Sequence, residues 1–180
     1  MQISETSLPQ NSFLKKDKLP YDFVDSFMGE FSDEKNSITS ADVGKAFFTS
    51  APEWVGHLFE LRNKIVRHLG LKTSGNTVDR ETLLANFHCE PGEQLGLFKV
   101  FYRDENEVIL GEDDQHLNFR VSLYMQKTMQ NNGKKQLVIS TAVQFHNIFG
   151  KIYFLPVKPF HKLIVPRMLK GILQKLEQEN

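Results

Sequence analysis

The stretch HLNFRVSLYMQK, residues 116–127, decides how the rest of the chain can fold. Apolar residues occupy every second position from Leu117 to Met125, and the positions between them hold Asn, Arg, Ser and Tyr. An alternation of period two is typical of a β-strand that buries one face and keeps the other polar. The segment therefore predicts a strand whose apolar face needs a covering layer.

Four further segments in the second half of the chain show the same strand-like pattern. They cover residues 95–103, 106–113, 136–147 and 150–157. The turn Asn131-Asn132-Gly133 favours a tight hairpin, because Asn-Gly accepts the positive φ that such turns require. Since the connections are short, we expect neighbouring strands to pair antiparallel as a five-stranded meander.

The first half of the chain predicts one strand followed by helices. Residues 20–31 alternate like a strand, with Asp25 falling in the otherwise aromatic series. Thr39-Ser40 offers an N-cap for a short helix. Ser50-Ala51-Pro52-Glu53 has the features of a capping box and opens an apolar stripe that predicts a longer helix over about residues 51–69. A short helix over residues 79–87 is one alternative for the segment that follows, and an irregular crossing is the other.

The chain closes with a second long helical pattern, over about residues 159–177, in which Pro166 predicts a kink. The element order is thus strand, helices, antiparallel meander and final helix. This order indicates an α+β fold in which a curved sheet wraps around the C-terminal helix. Such an arrangement is the helix-grip plan of the START and Bet v 1-like proteins, and it leaves an interior space between sheet and helix.

Length and charge limit the classes of protein to which the chain can belong. Its 180 residues predict a single domain, over residues 19–180. The polar residues, Pro9 and lysine cluster of residues 1–18 predict a flexible arm before it. Lys plus Arg and Asp plus Glu both number 22, which argues against a dedicated nucleic-acid binder and against polybasic membrane attachment. The chain lacks an apolar run long enough to span a membrane and a signal-peptide pattern, so we expect a cytoplasmic protein. One cysteine excludes an internal disulfide framework.

Aromatic composition is uneven, with 15 Phe but only four Tyr and one Trp. Phenylalanine brings apolar area without a polar group. The excess indicates either a phenylalanine-rich core or an aromatic-lined cavity. Trp54 begins the longer helix and is interpreted as a core anchor or, alternatively, as a cavity wall.

Polar residues near the predicted strand ends are the main candidates for a site. They are Asp114, His116, Arg120, His146 and Asn147. One interpretation is a cluster at a cavity mouth that binds the polar end of a ligand or exchanges protons. The other is that Asp114, His116 and Asn147 cap turns and hold strand ends in place. Arg120 is either a surface residue or an inward charge that needs a carboxylate.

His161, near the start of the final helix, completes the candidate set. His116, His146 and His161 have no strong metal-ligand spacing, so no metal site is predicted. The sequence also lacks a nucleophile elbow, a P-loop and a dinucleotide fingerprint, and no cofactor is predicted. Cys89 is expected to be a buried and inert thiol.

Four short sequence motifs, in this order along the chain, resemble those of a known family. They are Tyr21-Asp22-Phe23-Val24-Asp25-Ser26-Phe27, Trp54-Val55-x-x-Leu58-x-x-Leu61-Arg62-Asn63, Glu107-Val108-Ile109-Leu110-Gly111-x-x-Asp114-x-His116-Leu117 and His146-Asn147-x-x-Gly150-Lys151-x-Tyr153. Over residues 20–170 they resemble a mainly bacterial family, domain of unknown function 2867. That family is grouped with the Bet v 1-like superfamily, which implies a helix-grip fold but supplies no activity.

The leading functional hypothesis is a binding module for a small, mostly apolar or amphipathic molecule held between the sheet and the C-terminal helix. An alternative is a small-molecule enzyme, with proton-transfer or hydrolytic chemistry, in which His146 or His116 is the acid/base and Arg120 or Asn147 holds an anionic group. A third is a partner domain for a separate reductase-like chain. The sequence leaves the ligand and the oligomeric state open.

Overall fold

The computed structural model describes residues 1–17, 19–50, 84–128 and 133–178. Its elements are β1 (Ser4–Glu5), α1 (Phe13–Lys16), β2 (Phe23–Ser32), α2 (Ser40–Thr49), β3 (Gln94–Leu95), β4 (Phe98–Arg103), β5 (Glu107–Asp113), β6 (Leu117–Lys127), β7 (Lys134–Phe145) and α3 (Ile148–Gln178). Within these residues the strands form a curved, open, seven-stranded antiparallel sheet in the order β1-β2-β7-β6-β5-β4-β3. With the long α3, the architecture is α+β and consistent with a helix-grip fold.

The predicted meander is confirmed from β4 to β7. β6 and β7 pair in one register from Leu117 opposite Phe145 to Lys127 opposite Lys135. Gly133 has a φ of 72°, as the predicted hairpin requires, whereas Asn131-Asn132 lies outside the described residues. All of β2 pairs antiparallel with the edge of β7 that β6 does not occupy. A strand from the N-terminal half of the chain thus joins the sheet formed by the C-terminal meander.

The core lies between one face of the sheet and the helices α2 and α3. Alternate residues of β2, β6 and β7 point toward this layer because successive side chains of a strand face opposite sides. The buried members from these three strands are Phe27, Phe31, Val121, Leu123, Met125, Leu137 and Ile139. The buried members from α3 are Val165, Met168, Leu169, Ile172, Leu173 and Leu176. Each such side chain contributes about 1.5–3 kcal/mol relative to an exposed position.

The opposite face of the sheet is covered by the first residues of the chain. Leu14 of α1 packs with Ile109 and Ala142, so the sheet has an apolar cluster on this side as well. The buried carboxylate of Glu107 accepts hydrogen bonds from the Ser12 hydroxyl and the Phe13 backbone N–H. The structure therefore places the segment predicted as a loose arm against the sheet, because a buried carboxylate needs these donors.

The strand predicted over residues 150–157 is wrong, because these residues form the first turns of α3. The alternation of apolar and polar residues there is short, and it coincides with a helix that begins at Ile148 instead of residue 159. Pro156 and Pro159 lie inside this helix, as does Pro166. The predicted kink at Pro166 stays a prediction. The strand predicted over 95–103 is divided by Gly96, which has a φ of 62°.

The predicted N-cap of the short helix is confirmed. The Thr39 hydroxyl accepts a hydrogen bond from the Asp42 backbone N–H, and the Asp42 carboxylate accepts one from the Thr39 backbone N–H. Both bonds satisfy groups that a helix start leaves open. The helix predicted over residues 51–69 lies outside the described residues, together with most of the one predicted over 79–87.

Candidate functional site

The structure brings three of the predicted strand-end residues together at the start of α3. The His116 ring nitrogen Nδ1 lies 3.2 Å from Asn147 Oδ1 and 3.0 Å from Asn147 Nδ2. The His146 backbone N–H donates to the His116 carbonyl oxygen at 2.9 Å, while its side chain is exposed. Asp114 lies in the β5–β6 turn, where its N–H donates to the Leu117 carbonyl oxygen. These contacts hold strand ends in place.

Asn147 also starts the long helix. Its Oδ1 accepts hydrogen bonds from the backbone N–H groups of Phe149 at 3.1 Å and Gly150 at 3.2 Å. This is the geometry of an N-cap, which satisfies N–H groups at a helix start. A side chain on Gly150 would collide with the His116 carbonyl oxygen. The glycine therefore allows α3 to begin directly against the start of β6.

Arg120 is buried and lies on the sheet face away from α3. Its Nη2 donates to Asp113 Oδ1 at 2.8 Å, and its guanidinium group stacks 3.6 Å from the centre of the Phe101 ring. Nη1 donates to the Phe119 carbonyl oxygen at 2.9 Å. Arg120 is thus a buried charge on the outer face, and its carboxylate comes from the neighbouring strand.

His161 forms a different site, on the inner side of the sheet. Its Nε2 lies 3.0 Å from Oδ1 of Asp25, a residue of β2. Only 6% of the Asp25 side chain is exposed, and 15% of His161. Asp25 shares the inward face of β2 with Phe27 and Phe31, so the pair joins the sheet to the middle of α3.

Within the described residues, two buried polar atoms at this pair have no hydrogen-bond partner. They are Asp25 Oδ2 and the hydroxyl oxygen of Thr141. Asp25 and Thr141 are directly opposite each other in the β2–β7 ladder, so both side chains point to the same face. An unsatisfied buried polar group costs about 1–3 kcal/mol, and a charged one costs more. The site therefore holds hydrogen-bonding capacity that the described protein groups do not use.

Aromatic side chains surround the pair. The rings of Phe23 and His161 are nearly perpendicular, with 6.2 Å between their centres, and the centre of the Phe23 ring lies 4.8 Å from that of Phe154 of α3. Lys158 lies 5.2 Å from the centre of the Phe23 ring. A polar group between the sheet and α3 thus has apolar neighbours, where hydrogen bonds are stronger than in water.

The arrangement determines what each group can do. A carboxylate only accepts hydrogen bonds, so Nε2 of His161 carries the hydrogen of the bond to Asp25. Nδ1 of the neutral ring is then an acceptor. Thr141 offers one donor and an acceptor oxygen, and Asp25 Oδ2 offers a second acceptor. Together these groups can bind a hydroxyl or an amine, and His161 can exchange a proton.

Sequence reasoning identified one member of this group and missed another. His161 was a candidate, and Asp25 was visible as the acidic residue within an aromatic series of a strand. Thr141 carried no signal, because a threonine in a β-strand is ordinary. Trp54, the remaining candidate, lies outside the described residues.

Cys89 is buried, as predicted, and burial raises the pKa of its thiol to about 12. The thiol therefore stays protonated and unreactive near neutral pH. Within the described residues, no three His, Cys, Asp or Glu side chains converge as metal ligands would. In the same part of the chain, no helix is both long and apolar enough to cross a membrane.

The interior beside the C-terminal half of α3 is filled by side chains. Phe31, Leu137 and Ile172 are at most 1% exposed there. An open cleft of about 710 Å³ lies elsewhere, between the N-terminal end of α2 and the β4–β5 turn. Ser40 and Asp104, two of its lining residues, are hydrogen-bonded to each other across it. The unpartnered atoms of Asp25 and Thr141 are thus near the middle of α3, away from this cleft.

Comparison with known proteins identifies a family. The sequence profile of the family described as "Protein of unknown function (DUF2867)" matches residues 20–168. The match spans β2 through most of α3, including Asp25, Thr141 and His161. Searches of curated proteins and of solved structures find no significant match. The chain therefore belongs to the DUF2867 family.

Proposed function

We propose that the protein binds a small amphipathic molecule whose polar end occupies the site formed by Asp25, Thr141 and His161. The observation that carries the proposal is the pair of unpartnered buried atoms, Asp25 Oδ2 and Thr141 Oγ1. Buried polar groups in proteins are nearly always hydrogen-bonded, and the exceptions require an explanation. A bound polar group explains both atoms at once.

The chemistry of the site selects the ligand. Asp25 Oδ2 needs a donor, and the Thr141 hydroxyl can give or take a hydrogen bond. A hydroxyl group satisfies both, because it donates once and accepts through its lone pairs. The neighbouring rings of Phe23 and Phe154 favour an apolar body attached to that hydroxyl.

A proton-transfer enzyme is the second candidate, and the Asp25–His161 bond favours it. A carboxylate that holds one imidazole nitrogen leaves the other as a base, which is the orienting arrangement of acid/base sites. In this version His161 replaces His116 or His146 as the acid/base. The site at His116, His146, Arg120 and Asn147, and a separate reductase-like partner chain, stay predictions.

The test uses 1-octanol and its methyl ether as probes, because only the alcohol can donate a hydrogen bond. We expect the alcohol to bind about tenfold more tightly, a difference of about 1.4 kcal/mol. Thermal stabilisation of the protein by each probe measures this difference. Equal stabilisation by the two probes would contradict the proposal.

Two substitutions separate binding from stability. Thr141→Val removes an unpartnered hydroxyl, so it should raise the free energy of unfolding of the ligand-free protein by about 1 kcal/mol while weakening the binding of the alcohol, which loses its bond to Thr141 and keeps its bond to Asp25. The matched control is Ser140→Ala, because Ser140 points to the other face and bonds to Ser26 at 2.8 Å. The control should lose stability and bind the alcohol as tightly as wild type. A Thr141→Val protein that binds the alcohol as tightly as wild type would contradict the assignment.

A further inference from the structure

The first half of α3 exposes an unusual amount of apolar side chain. Ile148, Phe149 and Ile152 are each 61% exposed, and Leu155 is 77% exposed. Phe160 and Leu163 continue the same surface at 50% and 54%. We call these six residues the α3 apolar face. A contiguous apolar patch on a protein surface marks an interaction site.

The α3 apolar face follows the geometry of one side of a helix. Ile148, Ile152 and Leu155 are separated by steps of four and three residues, which places them on one stripe at 3.6 residues per turn. Gly150 and Phe154 are buried on the opposite side, against the sheet. The helix therefore packs by one side and presents its other apolar side outward.

Charge along this helix has a single sign up to Leu176. Between residues 148 and 176 the sequence holds six Lys or Arg residues and no Asp or Glu. Lys151, Lys158 and Lys162 are exposed and lie along one flank of the α3 apolar face. The zero net charge of the whole chain thus conceals a local excess of positive charge. This excess complements an anionic surface.

Charge and backbone narrow the possible partners. A second copy docking through the same face would place lysine against lysine, which is unfavourable. Insertion across a bilayer is also unfavourable, because Pro156 and Pro159 lack an N–H and leave the carbonyl groups of Ile152 and Leu155 without their helical donors. Those carbonyl groups need hydration, which the headgroup region of a membrane supplies.

We infer that the α3 apolar face docks on the surface of membranes that contain anionic phospholipids. The six apolar side chains enter the boundary between headgroups and acyl chains, and the flanking lysines bind the lipid phosphate and carboxylate groups. An interfacial helix with aromatic and aliphatic residues on one side and lysines beside them binds membranes in this way. The inference is independent of the proposed ligand site, because it uses no residue of that site.

The experiment is co-sedimentation of the full chain with phospholipid vesicles. We expect binding to phosphatidylcholine vesicles that contain phosphatidylserine, and much weaker binding to phosphatidylcholine alone. Lys151→Ala and Lys162→Ala should each weaken binding about fivefold. Lys99→Ala, an equal loss of charge on the exposed side of β4, should have no effect. Equal binding to both vesicle types, or binding to neither, overturns the inference.

A fluorescent label tests whether the α3 apolar face is exposed to solvent in the absence of membranes. Cys89 is the chain's single cysteine and is fully buried, so Leu155→Cys provides a selective labelling position. An environment-sensitive dye there should report water in the free protein and an apolar environment after anionic vesicles are added. A dye that reports an apolar environment without vesicles shows that a second copy or another part of the chain covers the face, and it overturns the inference.

Discussion

At the scale of single residues, two buried carboxylates near β2 differ in how well they are satisfied. Asp33 is fully paired, with Lys135 Nζ at 2.6 Å and backbone N–H groups of Ser37 and Ile38 at 3.0 and 3.3 Å. Among the described residues, Asp25 has a partner for one oxygen only, Oδ1, which bonds to His161. A carboxylate with both oxygens hydrogen-bonded to the protein has a structural role. A carboxylate with one unpartnered oxygen can accept a hydrogen bond from a ligand.

The Asp33–Lys135 pair predicts a dependence of stability on pH. Burial alone would raise the pKa of Asp33, but the bonds to Lys135 and to the two N–H groups outweigh burial and lower the pKa below its ordinary value of 3.8. The stabilisation is therefore complete above that value and is lost as pH falls through the lowered pKa. Asp33→Asn should lower the free energy of unfolding by about 3 kcal/mol at neutral pH, because it leaves Lys135 buried without its carboxylate.

Urea unfolding at neutral and at acidic pH measures this effect. The difference between wild type and Asp33→Asn should shrink once the pH is well below 3.8. Glu34→Gln is the control, since Glu34 is exposed and adjacent in sequence. A difference that stays constant with pH would show that the charge of Asp33 is not the source of the stability.

At the scale of elements, the start of α3 shows how one cap overrides a local pattern. Apolar and polar residues alternate weakly over residues 150–157, which favours a strand. The Asn147 side chain, however, accepts hydrogen bonds from two backbone N–H groups and begins a helix instead. Gly150 lacks the side chain that would collide with the His116 carbonyl oxygen, so this helix can lie against the start of β6. The apolar residues of the segment then divide between a buried side and the α3 apolar face.

Asn147→Ala tests the importance of this cap. Loss of the side-chain acceptor should lower the free energy of unfolding by about 1 kcal/mol, the usual cost of removing an N-cap. Chemical denaturation followed by circular dichroism measures it. Asn147→Asp keeps an acceptor oxygen and should restore most of the loss. An alanine variant as stable as wild type would mean that packing alone sets the start of α3.

At the scale of the whole molecule, glycines allow α3 to approach the other elements closely. A side chain on Gly171 would lie 2.7 Å from the Ser50 carbonyl oxygen, at the end of α2. A side chain on Gly29 of β2 would lie 2.6 Å from Leu173. Both distances are shorter than van der Waals contact, so these positions set how closely the helix can pack on α2 and on the sheet.

Gly171→Ala should destabilise the protein even though alanine is the better helix former. Its methyl group meets a backbone oxygen that cannot move alone, and overpacking of this kind costs about 1–3 kcal/mol, which exceeds the gain of about 1 kcal/mol in helix propensity. Thermal and urea unfolding measure the balance. Lys170→Ala, at the exposed neighbouring position, is the control and should be nearly neutral. A stabilised Gly171→Ala protein would contradict the close packing of α2 on α3.

Prediction of the candidate site from sequence was incomplete for a physical reason. His161 was visible as a titratable residue, and Asp25 as an acidic residue in an apolar series. Their meeting was not visible, because they are 136 positions apart and touch only when β2 lies beside α3. The pairing of Thr141 with Asp25 depends in the same way on the register between β2 and β7.

The sequence alone determined the strands of the meander and the Thr39 cap, because period-two alternation and capping act between residues close in the chain. The tertiary structure alone decided that β2 pairs with β7, that Leu8, Phe13 and Leu14 pack on the outer face, and that residues 150–157 are helical. Those outcomes depend on which surfaces meet, and the burial of a group such as Glu107 is a property of the packed molecule instead of a local segment.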